Sequence, residues 1–300
     1  MLGRVYRRLV ASFVYRTFNV WQRLGIHVSF DYYGTPIPNT RKLPDSLWAR
    51  PSELPGLDMR EEAQLELLAT LESGFKDEYS ALERAGAWVP EGVRPRDVLF
   101  RSPDADVAYA MVRHTRPRRV LEIGGGFSTL VLARALAANR ADGDAPELVT
   151  NEPSPRRCLR RFVQSGPEQP VTLHPRRAQD VPLADFEELG EGDILFIDSS
   201  HIVKIGSDLH YLVLEVLPRL ARGVAVHFHD ISMPREYPRD VIVKQQFFFN
   251  EQYFLQAFLA FNDAFDVMFA SRYLQLRHPD RFAQAFGAGG ASSLWLVRSR

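Results

Sequence analysis

The sequence predicts an α/β fold with a doubly wound, mostly parallel sheet and a helical N-terminal extension. From residue 119 onward, short β-rich runs alternate with segments long enough to form crossover helices. Runs such as "ILFI" at 194–197 are apolar at every position, as expected for strands that are buried on both faces of a parallel sheet. A glycine cluster, "GGG" at 124–126, follows the first of these runs, at the edge where open α/β sheets bind ligands.

The N-terminal third predicts helices and an irregular connector. Residues 1–25 contain arginines, among them Arg7, Arg8, Arg16 and Arg23, between apolar residues near helical spacing, which predicts a basic amphipathic helix. This helix either packs on the body of the protein or docks at a membrane surface, and both alternatives remain open. The proline-rich stretch 30–58 predicts an ordered connector, and 59–85 and 104–115 predict helices. We expect 1–103 to be an extension and possible lid, and 104–300 to be the main domain.

The remaining segments predict the strands of the sheet in chain order. Two late runs, separated by the Gly-rich "FGAGGASS", are expected to form an antiparallel terminus. The predicted strands are "RVLEI", "ELVTNE", "PVTLHP", "DILFID", "GVAVHFHD", "FDVMFA" and "SLWLVRS".

Composition limits the classes of partner and compartment. Lys plus Arg and Asp plus Glu both number 37, so no overall field favours nucleic acid, and we expect no nucleic-acid partner. Cys158 is the only cysteine, which excludes an intramolecular disulfide and a multi-cysteine zinc site. A reducing, cytoplasmic compartment is therefore expected. No stretch approaches the roughly 18 apolar residues that a membrane span requires.

The glycine cluster and two acidic residues predict a nucleoside ligand. Gly124 and Gly126 allow a sharp turn and a close approach of the backbone to a ligand. Glu152 follows the second strand, where a carboxylate can accept both hydroxyls of a ribose. The third glycine of the dinucleotide pattern is replaced by Thr129, and Glu122 places a negative charge near the loop, which suits a cationic ligand better than a pyrophosphate.

"LEIGGG" at 121–126 resembles the first motif of the class I S-adenosylmethionine-dependent methyltransferases. The resemblance covers roughly 104–300 and implies a Rossmann-like sheet of seven strands, the last one antiparallel. It implies that Glu122, Gly124, Gly125 and Gly126 hold the methionine part of the cofactor, and that Glu152 binds the ribose. Asp180 matches the region that contacts adenine, although a solvated or helix-capping carboxylate is an equal alternative.

Polar side chains end two neighbouring strands and predict the catalytic centre. Asp198 and His201 belong to "DSSH", and His229 and Asp230 end "VHFHD". Adjacent parallel strands lie about 4.8 Å apart, so the two carboxylates should face one site and repel each other unless a cation lies between them. We expect a divalent metal such as Mg²⁺ held by Asp198 and Asp230, and His201 as general base.

This arrangement resembles metal-dependent O-methyltransferases, including those that methylate sugars on natural products, in which an Asp-x-x-His element follows strand four. The catechol-type members follow their strand-five acid with Asn, whereas Ile231 follows Asp230 here, so the third ligand is open and His229 is the candidate. The resemblance implies an S-adenosylmethionine-dependent O-methyltransferase that acts on a hydroxyl of a sugar, polyketide or related metabolite.

Two other classes of function remain open at this point. One is an NAD-dependent oxidoreductase, which Thr129 and Glu122 disfavour. The other is a non-catalytic nucleoside-binding or membrane-associated assembly protein that docks through 1–25. A homo-oligomer is plausible for a soluble enzyme, although no sequence stripe identifies an interface.

Overall fold

A computed structural model describes residues 2–166 and 168–300, with the side chains of all of these except 2–5 and 7. The described residues form two compact units. The smaller contains the residues up to Arg50 together with Pro238–Phe248, and the larger contains Pro51–Tyr237 and Phe249–Arg300. The predicted division after residue 103 remains a prediction.

The larger unit contains one seven-stranded sheet in the order β3-β2-β1-β4-β5-β7-β6. Strands β1 to β5 pair in parallel, whereas β7 pairs antiparallel with both β5 and β6. The predicted fold class is confirmed. The strands are Arg119–Ile123 (β1), Glu147–Asn151 (β2), Val171–His174 (β3), Ile194–Ile197 (β4), Ala225–Phe228 (β5), Phe265–Ala270 (β6) and Leu294–Arg298 (β7).

Helices cover both faces of this sheet because alternate strand residues are apolar on each side. On one face, Val120 and Phe196 pack with the helices around Leu68, Met111 and Val131. On the other face, Leu121 and Ile197 pack with the segments around Val213 and Leu255. The α-helices of the larger unit are Glu61–Arg84 (α3), Asp104–Thr115 (α4), Phe127–Ala141 (α5), Arg157–Gln164 (α6), Leu183–Glu187 (α7), Asp208–Tyr211 (α8), Glu251–Ala260 (α10), Ser271–Arg277 (α11) and Pro279–Phe286 (α12).

The smaller unit contains the N-terminal helix Leu2–Arg23 (α1) and two short helices, Ser46–Ala49 (α2) and Arg239–Val243 (α9). Arg239 joins the last two, because its guanidinium lies 3.2 Å from Asp45 and over the ring of Trp48. Outside α2, the described backbone of 30–58 is irregular, as predicted from its prolines. Among the described residues, no helix is both long enough and apolar enough to cross a membrane.

The strand order places a ligand-binding position between β1 and β4. From β1 the chain proceeds outward to β2 and β3, and it then returns to the other side of β1 to form β4 and β5. The loops that follow β1 and β4 therefore diverge and leave a crevice at the carboxyl ends of the strands. The residues predicted to bind and react lie at this edge.

Candidate active site

Staggered strand ends bring the predicted residues together at the carboxyl edge. The backbone N–H of Asp198 donates to the carbonyl of Ile123 at 2.9 Å, and that of His229 donates to Ile197 at 3.1 Å. Each residue that follows a strand is thus tied to the end of the neighbouring strand. The polar side chains after β4 and β5 consequently lie beside the glycine loop after β1.

The three glycines of this loop have different roles. Gly124 has φ +92°, and a Cβ there would lie 1.8 Å from the carbonyl oxygen of Asp198. A Cβ on Gly125 would lie 2.2 Å from the side chain of Thr150. At Gly126, no described atom lies within 4 Å of the Cβ position. The neighbouring strands therefore account for the first two glycines, and only Gly126 borders open space, whereas the sequence attributed a ligand role to all three.

Glu122 lies beneath the loop and holds it in place. Its side chain is fully buried, and the hydroxyls of Ser128, Thr129 and Thr150 donate to its carboxylate at 2.6 to 2.7 Å. Burial raises the pKa of Glu122 to about 7, against these hydrogen bonds. The sequence placed this carboxylate beside a cationic ligand; its contacts in the structure are three protein hydroxyls, two in the first turn of α5 and that of Thr150 in β2.

Thr129 explains why the third glycine of the dinucleotide pattern is absent. Its hydroxyl accepts a hydrogen bond from the N–H of Gly126 at 3.0 Å and donates to Glu122. The side chain thus fixes the first turn of α5 to the buried carboxylate. A glycine at this position would remove both contacts.

The two acids predicted to bind the nucleoside lie in different surroundings. Glu152 directly follows β2, and a Cβ on Gly125 would lie 3.4 Å from its Cβ, so it borders the glycine loop. Burial raises the pKa of Glu152 against a hydrogen bond from the N–H of Ser154. Asp180 is exposed, and both of its carboxylate oxygens accept hydrogen bonds from Arg177 at 2.8 Å. Its geometry agrees with the solvated alternative.

The four predicted catalytic or metal-binding side chains form one cluster. His201 Nε2 lies 3.3 Å from Asp198 Oδ1 and 3.6 Å from Asp230 Oδ2. His229 Nδ1 lies 3.5 Å from Asp198 Oδ1 and 3.6 Å from Asp230 Oδ1. The backbones of His201 and Asp230 have φ of +58° and +56°, a conformation that persists only where the surrounding structure enforces it.

Two further carboxylates complete the cluster, and sequence reasoning missed both. Glu251, the first residue of α10, is buried with its Oε2 2.8 Å from His201 Nδ1. Asp104, the first residue of α4, lies 3.6 Å from His229 Nε2 and accepts hydrogen bonds from Ser292 and Ser293. In the sequence, each of these residues is only an acid at the start of a largely apolar helix. Acids are common at that position because they interact favourably with the helix dipole, so they do not by themselves indicate a functional site.

The carboxylates keep both imidazoles protonated. Burial lowers the pKa of His201, but the hydrogen bonds to Asp198 and Glu251 outweigh burial and raise it to about 10. Burial likewise opposes the charged form of His229, and Asp198 and Asp104 raise its pKa well above the usual value. Burial raises the pKa of Asp198, but His229 and His201 hold it well below its usual range. The cluster is therefore a set of ion pairs in which His201 holds a proton at neutral pH.

The predicted metal ligands Asp198, His229 and Asp230 are thus brought together as ion-pair partners. Among residues 2–166 and 168–300, no group of three or more His, Cys, Asp or Glu side chains is arranged to hold a metal ion. Protonated imidazoles donate hydrogen bonds and do not coordinate metals. His229 could therefore bind a metal only after it lost its proton, whereas the carboxylates of Asp198 and Asp230 need no such loss.

His227 is packed as an apolar residue. Its ring stacks on Phe196 at 3.8 Å between centroids and contacts Trp295, and burial lowers its pKa well below the usual value. It lies on the sheet face below the cluster and contributes packing.

The fold and the site together define an α/β protein of the nucleotide-binding type, with a glycine loop and acidic side chains at the position where the strand order reverses. Residues 121–231 match a family model described as "Methyltransferase domain". The match begins within β1 and ends directly after Asp230, so it contains the loop and most of the cluster. Residues 121–231 are therefore assigned to the methyltransferase domains, and the seven-stranded sheet agrees with the class I S-adenosylmethionine-dependent fold that the glycine motif resembles.

The individual proteins and structures that this chain resembles have low sequence identity to it. An uncharacterized protein of Archaeoglobus fulgidus is 28% identical over 199 residues, which cover 63% of this chain and 85% of that protein. Among solved structures, an O-methyltransferase from Bacillus cereus in complex with SAH is 16% identical with a TM-score of 0.40, over 80% of this chain and 99% of that one. The N-terminal domain of EvdMO1 with SAH bound is 18% identical with a TM-score of 0.30, over 59% and 68%. Likenesses this distant add nothing to the assignment.

Proposed function

We propose that this methyltransferase acts on oxygen and transfers the methyl group of S-adenosylmethionine to a hydroxyl of a sugar, polyketide or related small metabolite. The observation that carries the proposal is the pair formed by His201 and the buried Glu251, which adjoins Asp198, the residue that lies against Gly124 of the loop. A hydroxyl must lose its proton when it is methylated, so such an enzyme needs a positioned group that can take that proton.

The cofactor site is supported by the space at Gly126 and by the carboxylate of Glu152. The open Cβ position of Gly126 lets a ligand lie against the backbone of the loop. Glu152 borders the same loop, and we propose that its carboxylate accepts the hydroxyls of a ribose. Glu122 holds the loop in place through its hydrogen bond with Thr129. Thr129 stands where the dinucleotide pattern has its third glycine, and its side chain makes structural contacts of its own, which disfavours the NAD-dependent alternative.

Methyl transfer requires the residues of the cluster to orient the acceptor and move one proton. S-Adenosylmethionine supplies an electrophilic methyl group and leaves as a neutral thioether. As the new O–C bond forms and the S–C bond breaks, the acceptor O–H bond gives its proton to His201 Nε2. Glu251 binds the Nδ1 proton of the same ring, which fixes its orientation and stabilises the imidazolium that forms.

The protonation of His201 in the free protein implies a condition for catalysis. His201 accepts a proton only after it has lost the one that Asp198 and Glu251 stabilise. A positive charge beside Asp198 lowers the pKa of His201, because it competes for the same carboxylate. If the sulfonium of the methyl donor were bound beside Asp198, it would supply such a charge, and His201 would be the residue that takes the proton.

The lid expected within 1–103 remains part of the proposal, and we extend it to the loop after Asp230. Within the larger unit, the N–H of Ser52 donates to the carbonyl of Pro234 at 2.7 Å, which joins the connector to that loop. Tyr237 follows in the same loop and is buried, with its hydroxyl accepting the N–H of Gln252. A loop anchored at these points can exclude water from the transfer.

Calorimetric titration of the purified chain tests the cofactor assignment. We expect saturable binding of S-adenosylmethionine and no binding of NADH at the same concentrations, because the loop has no third glycine at position 129. Selective binding of NADH would instead establish the oxidoreductase alternative. Binding of neither would reject both and leave the glycines as a turn.

The proposed participation of Mg²⁺ is tested separately by chelation. If carboxylates of the cluster hold the ion, turnover should fall in EDTA and return with Mg²⁺, and calorimetry should detect Mg²⁺ binding to the wild-type chain. Asp198→Asn and Asp230→Asn should each weaken that binding. Turnover that is indifferent to EDTA, with no heat of Mg²⁺ binding, rejects the metal and leaves the role of His201 intact.

A further inference from the structure

We infer that α1 docks the protein on an anionic lipid membrane by inserting an exposed apolar stripe flanked by arginines. The stripe consists of Tyr6, Leu9, Phe13 and Val20, at helical spacing. These side chains are 70%, 65%, 60% and 55% exposed. This surface is independent of methyl transfer.

The exposed stripe is not the face through which α1 packs against the rest of the chain. A neighbouring face of the helix already carries buried or half-buried apolar side chains, with Val14 8% exposed and Val10 and Trp21 half-buried. The indole of Trp21 also donates to the hydroxyl of Thr17 at 3.0 Å. The helix thus has one apolar face covered within the chain and a second one facing solvent, which marks an interaction surface.

The charges of the segment indicate the partner. Residues 1–30 contain five arginines and no acidic residue, and the first acid is Asp31. Arg16 lies three residues after Phe13, and Arg23 lies three residues after Val20, so both exposed guanidiniums adjoin the stripe. Long arginine side chains can extend from an apolar surface to lipid phosphates while their stems remain buried.

A second copy of the chain fits this surface less well than lipid does. Two such helices in contact would bring arginines of like charge together, with no acidic side chain of either helix to neutralise them. An anionic bilayer supplies that negative charge together with an apolar layer. Exposed aromatic residues such as Tyr6 and Phe13, both in the stripe, are typical of helices that lie in the plane of a membrane interface.

Co-sedimentation of the full chain with vesicles tests the inference. We expect the wild type to sediment with phosphatidylcholine and phosphatidylglycerol mixed at about 7:3, and to remain in the supernatant with phosphatidylcholine alone. The double variant Leu9→Ser, Phe13→Ser should lower the partition coefficient by about tenfold or more. Arg16→Gln, Arg23→Gln should lower it by about tenfold on anionic vesicles only, and added salt should do the same to the wild type.

Controls separate docking from loss of structure or of the cofactor site. Phe261→Ser removes an apolar side chain that is 94% exposed in the larger unit, and should leave sedimentation unchanged. All variants should retain the melting temperature and the S-adenosylmethionine affinity of the wild type. Sedimentation of the stripe variant at the wild-type level would overturn the inference, as would a wild-type dimer that Leu9→Ser, Phe13→Ser converts to a monomer.

Discussion

Replacement of Gly126 by arginine is expected to abolish S-adenosylmethionine binding while the melting temperature stays close to that of the wild type. The Cβ position of Gly126 meets no described atom within 4 Å, so the fold has room for a side chain there. The same space is where the proposed ligand lies against the loop, and a long cationic side chain would fill it and repel the sulfonium. Calorimetry and thermal unfolding of the same preparation measure the two effects.

Two other glycines are the controls for this substitution. Gly290→Arg places the same side chain at an exposed glycine whose Cβ position also meets no described atom, and should change neither quantity. Gly124→Ala should destabilise the fold by about 3 kcal/mol or more, because its Cβ would collide with Asp198 and its φ is positive. If Gly126→Arg binds S-adenosylmethionine with wild-type affinity, the cofactor does not lie against this loop.

Replacement of His201 by alanine is expected to lower kcat by about 100-fold or more and to change the affinity for S-adenosylmethionine only slightly. The residue contacts Asp198, Asp230 and Glu251, and it is separate from Gly126, where the cofactor is proposed to lie. His210→Ala is the matched control, because His210 is exposed and lies outside the cluster. Unchanged turnover in His201→Ala would reject the general base.

The pH profile separates a base from a merely structural histidine. For the wild type, kcat/KM for S-adenosylmethionine should rise with pH toward about 10, because the free enzyme must lose the His201 proton before the ring can act as a base. Glu251→Gln removes a charge that stabilises this proton, so the pKa of His201 should fall. The rising limb should then move to lower pH, and the maximal rate should fall as well. A limb at the same pH in both enzymes would contradict the role of Glu251.

The sequence by itself determined the sheet, the glycine loop and the proximity of two strand ends. All seven predicted strands lie where the β-rich runs placed them, and the wholly apolar run of β4 lies at the centre of the sheet, as expected for a strand that is buried on both faces. The polar residues after β4 and β5 meet because neighbouring parallel strands end at one edge.

Only the tertiary structure decided which residues face that edge and what they contact. Asp104 reaches His229 from a helix that begins 125 residues earlier in the chain, and Glu251 reaches His201 from one that begins 50 residues later. No local sequence pattern identifies contacts between residues that lie so far apart in the chain. The inward direction of Glu122 and the exposure of the stripe on α1 are likewise consequences of packing, because periodicity shows that a helix has an apolar face but not whether the folded chain covers it.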